Sequence, residues 1–160
     1  ALMPGFNYRM TELQGAVGLV QLSKLDMILE RQRTNKKKLM AAFRGLPLQF
    51  RKILDPEGEL GDTIVFFLNS KEQAIAFVQE LTEAGLGTKN LPDALRWHFA
   101  RHWQHIFREY GIYEQSWRSQ WKSTEDLLER AVALPVMVYM TDERISQIAE
   151  TVTRIAEKTK

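Results

Sequence analysis

No cysteine occurs in the 160 residues, so neither a disulfide framework nor a thiol nucleophile is available. No apolar run is long enough to cross a bilayer, and no internal repeat or low-complexity segment interrupts the chain. Charge of one sign is lacking too. Against 22 Lys and Arg stand 20 Asp and Glu, and the formal net charge of +2 is too near neutral to argue for nucleic acid. Residues Ala1 to Gly5 have neither the charged start nor the apolar core of a secretion signal, which makes a cytoplasmic location the expectation. The absent initiator methionine points to a cut or truncated chain. What is present, 44% hydrophobic and 26% charged residues, suffices to bury one domain-sized core with a leading arm.

The most informative stretch runs from Gly5 through Asn7, Tyr8 and Arg9 to Ala16 and on to Gln21-Leu22. Thr11 is placed to cap a helix and Gln14, three residues later, to reach back to the cap backbone, a capping box that precedes an apolar run. Asn7, Tyr8 and Arg9 therefore fall just before a helix N-terminus. Free N–H groups and the positive end of the helix dipole favour phosphate or carboxylate there, and the forked guanidinium of Arg9 suits either anion. Spacing alone leaves an ordinary loop open as the alternative.

Helical periodicity extends from Leu13 through Leu29 into a polar stretch ending near Gly45-Leu46-Pro47, as one long helix or two joined by a kink. Gly15 and Gly18 cost about 1 kcal/mol each in a helix, so they mark a close crossing, with a subunit contact as the candidate. Lys36-Lys37-Lys38 points round the helix rather than along one face and is expected to be solvated. Leu48 to Leu54 and Thr63 to Leu68 are strand-like about the turn Asp55-Pro56-Glu57-Gly58, and predict a hairpin-like pair. Ser70 and Gln73 open a helix carrying Ile75, Phe77, Val78 and Leu81, which stops at Gly85; Leu86 to Lys89 is expected to return as a short strand. Ala133 to Met140 is another strand-like run. Thr141 then caps a last helix with a stripe of Ile145, Ile148, Ala149, Val152, Ile155 and Ala156. The pattern predicts an α+β class.

Between Pro92 and Trp121 lie all four tryptophans (Trp97, Trp103, Trp117, Trp121) and all three histidines. If Leu95 to Tyr110 is helical, His98, His102 and His105 share a face and could offer zinc three ligands, although three side chains stacked on one helix rarely converge on a tetrahedral centre. The plainer reading is an aromatic packing surface with exposed histidines.

The wording Gly5-Phe6-Asn7-Tyr8-Arg9-Met10-Thr11-Glu12-Leu13-Gln14-Gly15-Ala16, with Gln21-Leu22, closely resembles a segment of the DegT/StrS-type PLP-dependent sugar aminotransferases. The resemblance continues more weakly to the chain end. It implies that residues 1–10 are a loop from the end of a large domain, and that residues 11–160 are the C-terminal small domain of a fold-type I transferase: a long N-terminal helix and a small, mainly antiparallel sheet covered by helices. It further implies that Asn7 reaches the pyridoxal 5'-phosphate of the neighbouring subunit in a homodimer. Tyr8 and Arg9 would then lie near the substrate. His98, beyond the turn Gly85-Leu86-Gly87-Thr88, would sit on a segment directed at the sugar. The lysine needed to hold the cofactor covalently would lie upstream, so the resemblance implies no catalytic residue in this chain and no activity for it alone.

By the same resemblance the whole enzyme would move an amino group from a donor such as glutamate to a keto-sugar for cell-surface polysaccharide, lipopolysaccharide included. Val136-Met137-Val138-Tyr139 departs from the family's usual wording and puts a standard nucleotide-sugar in doubt. Trp97-His98-Phe99 is similar to the branch that makes 8-amino-3,8-dideoxy-manno-octulosonate, whose carboxylate would suit Arg9 or Arg96. The competing expectation is a non-enzymatic α+β interaction module that uses its tryptophans to bind a partner protein.

Overall fold

Residues 9–88, 99, 102–111 and 120–159 are described by the computed structural model of the chain. Two helices lead, α1 (Glu12–Leu22) and α2 (Leu25–Ala42). There follow β1 (Gln49–Phe50), β2 (Thr63–Phe67), α3 (Lys71–Glu83), α4 (Gln104–Glu109), α5 (Lys122–Glu129), β3 (Ala131–Pro135) and α6 (Asp142–Lys158). The strands form one antiparallel sheet in the order β1-β2-β3, with Phe50 opposite Phe66 and Val65 opposite Ala133. The α+β class read from the sequence is the one observed.

Alternation along β2 buries Ile64 and Phe66 on the face that α2, α3 and α6 cover, where they meet Leu39, Phe43, Phe77, Leu81, Val152 and Ile155. Phe66 lies edge-on to Phe77 at 5.3 Å and to Phe50 at 6.0 Å, so one ring ties the sheet to α3 and to the edge strand. In α6 the expected stripe forms: Ile145, Ile148, Val152, Ile155 and Ala156 are buried, with Ala149 packed beside them.

The helix starts follow local chemistry. Ser70 and Thr141 accept the backbone N–H of Gln73 and Arg144 at 3.2 Å each. Glu72 and Glu143 sit in these first turns with carboxyls below their ordinary value, held there mainly by their own backbone N–H and next by the Ser70 or Thr141 hydroxyl. At the end of α3, Gly85 adopts φ +73°, Leu86 N donates to Leu81 O at 2.8 Å and Gly85 N to Thr82 O at 2.9 Å, a Schellman closure.

Of the two readings left open for the leading run, two helices is the one observed, with the break at Ser23-Lys24, where the Ser23 hydroxyl donates to Val20 O at 2.8 Å and competes with the helical ladder. Other expectations need correction. The first strand is shorter than Leu48 to Leu54, because after Arg51 N bonds Val65 O the chain leaves the sheet and is drawn to α2. Leu86 to Thr88 form no strand; they pair with no sheet edge, and Lys89 lies outside the described residues. The last strand starts earlier and stops at Pro135, which has no N–H to give to a ladder. Ile75 is half exposed, and Ala74 faces the core in its place. Lys36 is buried rather than solvated, whereas Lys37 and Lys38 are exposed.

Candidate functional site

The capping box forms as the spacing requires: Thr11 N donates to Gln14 Oε1 at 2.9 Å, and Gln14 N to Thr11 Oγ1 at 3.3 Å. Arg9 is exposed immediately before it. Asn7 and Tyr8 lie outside the described residues, so of the three expected binding groups Arg9 alone has a described place. The helix behind it is apolar on nearly every side, yet none of its residues is buried; Leu13, Leu19 and Leu22 are 75%, 72% and 64% exposed. Open space surrounds Gly18, so no close crossing at the glycines is made by the described part of this chain.

A second group gathers where the chain leaves β3. Val136 N donates to Asp62 O at 2.7 Å, and the next carbonyls are taken by α2: Gln32 Nε2 reaches Val136 O at 3.2 Å, and buried Asn35 reaches Met137 O at 3.0 Å and Val138 O at 3.4 Å. Tyr139 then lies under the Arg31 guanidinium, 5.1 Å from its ring centre. This arrangement fixes the stretch from Val136 to Tyr139. Sequence reasoning missed its partners, because Arg31, Gln32 and Asn35 read as ordinary polar residues of a helix.

Lys36 is the buried lysine among the described residues. Its ammonium donates to the Glu59 carboxylate and, at 2.8 Å, to Thr63 O; Arg51 also reaches Glu59 at 3.2 Å, and Arg33 donates to Glu59 O at 2.7 Å. Glycine at 61, with φ +83°, lets the loop lie on α2, for a Cβ there would stand 2.9 Å from Arg33 N. These ties commit Lys36 to structure, and every other described lysine is exposed. The described residues therefore offer no sheltered amine to hold a carbonyl cofactor, and no chemical step is assigned to them.

His98, Trp97 and Trp117 fall outside the described residues. The premise of one helix from Leu95 to Tyr110 does not hold, since α4 begins at Gln104 and His102 precedes it. His102 stands 3.9 Å from Glu125 and 6.0 Å, ring to ring, from Phe99, which also meets Trp121 edge-on at 6.5 Å. Trp103 and Trp121 are half-buried.

The sequence pattern of the DegT/DnrJ/EryC1/StrS aminotransferase family matches residues 1–153, nearly the whole chain and the Arg9–Gln14 start included. The chain belongs to this family. Solved structures agree in fold. The putative sugar aminotransferase Spr1654 from Streptococcus pneumoniae, in its PMP-form, superposes with a TM-score of 0.71 at 20% identity over 95% of this chain and 36% of its own. Helicobacter pylori PseC, an aminotransferase of pseudoaminic acid biosynthesis, gives 0.72 at 19% identity over 98% and 40%. E. coli GDP-4-keto-6-deoxy-D-mannose-3-dehydratase with bound hydrated PLP gives 0.71 at 19% over 94% and 37%. The chain thus spans 36% to 40% of the lengths of these solved structures.

Proposed function

We propose that this chain is the C-terminal part of a pyridoxal phosphate-dependent sugar aminotransferase of fold type I, with residues 1–10 closing the large domain and residues 11–160 forming the small one. The observation that carries the reading is the family match over residues 1–153, which includes the Asn7-Tyr8-Arg9 segment ahead of the capped start of α1. The cofactor is the one named in both PLP- and PMP-forms of the Spr1654 relative. When bound, it supplies the electron sink for amino transfer.

In this reading Asn7 donates to the cofactor phosphate of a second subunit, and Tyr8, Arg9 and His98 contact a keto-sugar, either nucleotide-linked or an octulosonate-type sugar acid whose carboxylate pairs with Arg9. The site is shared across a homodimer. Exposed apolar residues on opposite sides of α1, Leu13 and Leu22 among them, support burial against other parts of such an assembly. The product would enter cell-surface polysaccharide, and the expected location is the cytoplasm. No helix among the described residues is long and apolar enough to span a membrane. This portion would be inactive alone, since the family resemblance puts the cofactor's lysine upstream of Gly5, and the buried lysine among the described residues is tied to Glu59.

One relative of equal TM-score is a dehydratase, which favours a second outcome for the same cofactor: loss of a hydroxyl in place of amino transfer. Family membership weighs against the non-enzymatic interaction module. The test uses the longest native form of the protein. It should show a visible band at about 400–430 nm, and borohydride reduction should leave a phosphopyridoxyl group on a lysine preceding Gly5. Asn7→Ala should then weaken cofactor affinity, and Arg9→Ala should raise KM for the keto-sugar. Unchanged turnover in both variants would reject the assignment; a deoxy product without nitrogen would select the dehydratase.

A further inference from the structure

A cleft of about 280 Å³ opens between the turn after α3, the stretch leaving β3 and the first turns of α6. Its volume sits at the lower edge of the roughly 300–1,000 Å³ common for small-molecule sites. Buried Leu39, Leu86, Leu134 and Ile148 line its floor, while Met137 and Tyr139, 60% and 75% exposed, form its rim. That rim is held in place, because Gln32 and Asn35 bind the three carbonyls from Val136 to Val138 and Arg31 covers Tyr139.

A single charged group lines the cleft among the described residues, Arg144. Its guanidinium meets only neutral acceptors, Gln147 Oε1 at 2.6 Å and Gly85 O at 3.5 Å, and no described carboxylate pairs with it. The nearby acid Asp142 is taken by Lys38 Nζ at 2.5 Å. An unneutralised guanidinium with spare N–H donors, set at an apolar cleft, matches a ligand with a carboxylate at one end and an apolar body at the other.

We infer that the cleft between Gly87, Pro135–Met140 and Arg144 binds a small amphipathic carboxylate, its apolar body on the Leu39–Leu134–Ile148 floor and its carboxylate on Arg144. The inference does not depend on the reaction proposed above. Phosphate esters fit less well, since a dianion would face one cation.

Methionine methyls supply both reporters and controls, since Met137 and Met140 line the cleft and Met10 and Met27 do not. With the longest native form of the protein labelled at its methionine methyls, titration with octanoate should shift Met137 and Met140 saturably and leave Met10 and Met27 in place. Arg144→Gln, an exposed position whose side-chain bonds reach only Gln147 and Gly85, should weaken binding roughly tenfold. Ile148→Trp should abolish it by filling the floor, with near-ultraviolet circular dichroism reporting the fold. Octan-1-ol should bind the wild type more weakly than octanoate. Shifts that spread equally to Met10, or affinity that neither Arg144→Gln nor the alcohol changes, would overturn the assignment.

Discussion

Asn35 in α2 donates its side-chain amide to the Met137 carbonyl at 3.0 Å, joining positions 102 apart in the chain. The amide is 7% exposed as part of a buried residue and also reaches Val138 O, so it replaces the ladder partners that the backbone loses beyond Pro135. Asn35→Ala should cost about 1–3 kcal/mol, the penalty for leaving such groups unpaired. Asn35→Asp should cost more at neutral pH, because a carboxylate would then face two carbonyl oxygens. Urea denaturation of the three proteins measures both, and an aspartate variant as stable as the wild type would contradict the role.

Lys36 and Glu59 have side chains 9% and 18% exposed, so each would be a poorly hydrated charge without the other. Lys36→Met should destabilise by about 3 kcal/mol, the low end for breaking a buried pair, since Arg51 stays beside Glu59. Adding Glu59→Leu should restore part of that loss by removing the orphaned carboxylate. A double variant less stable than Lys36→Met would show that the pair is not the source of the cost.

Gly45 and Gly61 have similar positive φ, +87° and +83°, but different surroundings. Gly45→Ala meets open space and should cost about 1–2 kcal/mol from the left-handed conformation alone. At 61 a Cβ would also press on the backbone of Gln32 and Arg33, at 2.9 to 3.1 Å. Gly61→Ala should therefore be clearly the worse of the two in thermal melts, and equal melting temperatures would refute close packing of the loop on α2.

Glu143 holds its carboxyl below the ordinary 4.5, first through its own backbone N–H and then through the Thr141 hydroxyl, with desolvation and Asp142 opposing. The folded chain therefore prefers the charged form more than the unfolded chain does. Its contribution is complete above the ordinary glutamate value and is lost as pH falls through the lowered folded value. A carboxyl-detected NMR titration should place Glu143 and Glu72 below the ordinary glutamate value, and Thr141→Val should move Glu143 part of the way back. No movement in that variant would remove the hydroxyl as a cause.

The sequence by itself determined what depends on neighbours three to five positions away. Thr11, Ser70 and Thr141 start helices because a side-chain oxygen reaches an N–H within one turn, and Gly85 ends α3 because glycine accepts the left-handed bend. The α6 stripe is equally local, since 3.6-residue periodicity selects its buried face. The wording from Gly5 to Ala16 likewise carried the family, although of its expected binding groups only Arg9 falls among the described residues. Tertiary structure decided the rest. Lys36 looks like its exposed neighbours Lys37 and Lys38 until the loop brings Glu59 and the Thr63 carbonyl to it. β1 shortens because Arg33 draws that same loop off the sheet, and the polar run of α2 becomes the clamp on Val136–Tyr139. Such roles depend on donors and acceptors brought together across 23 to 104 positions, and no local pattern in the chain encodes those distances.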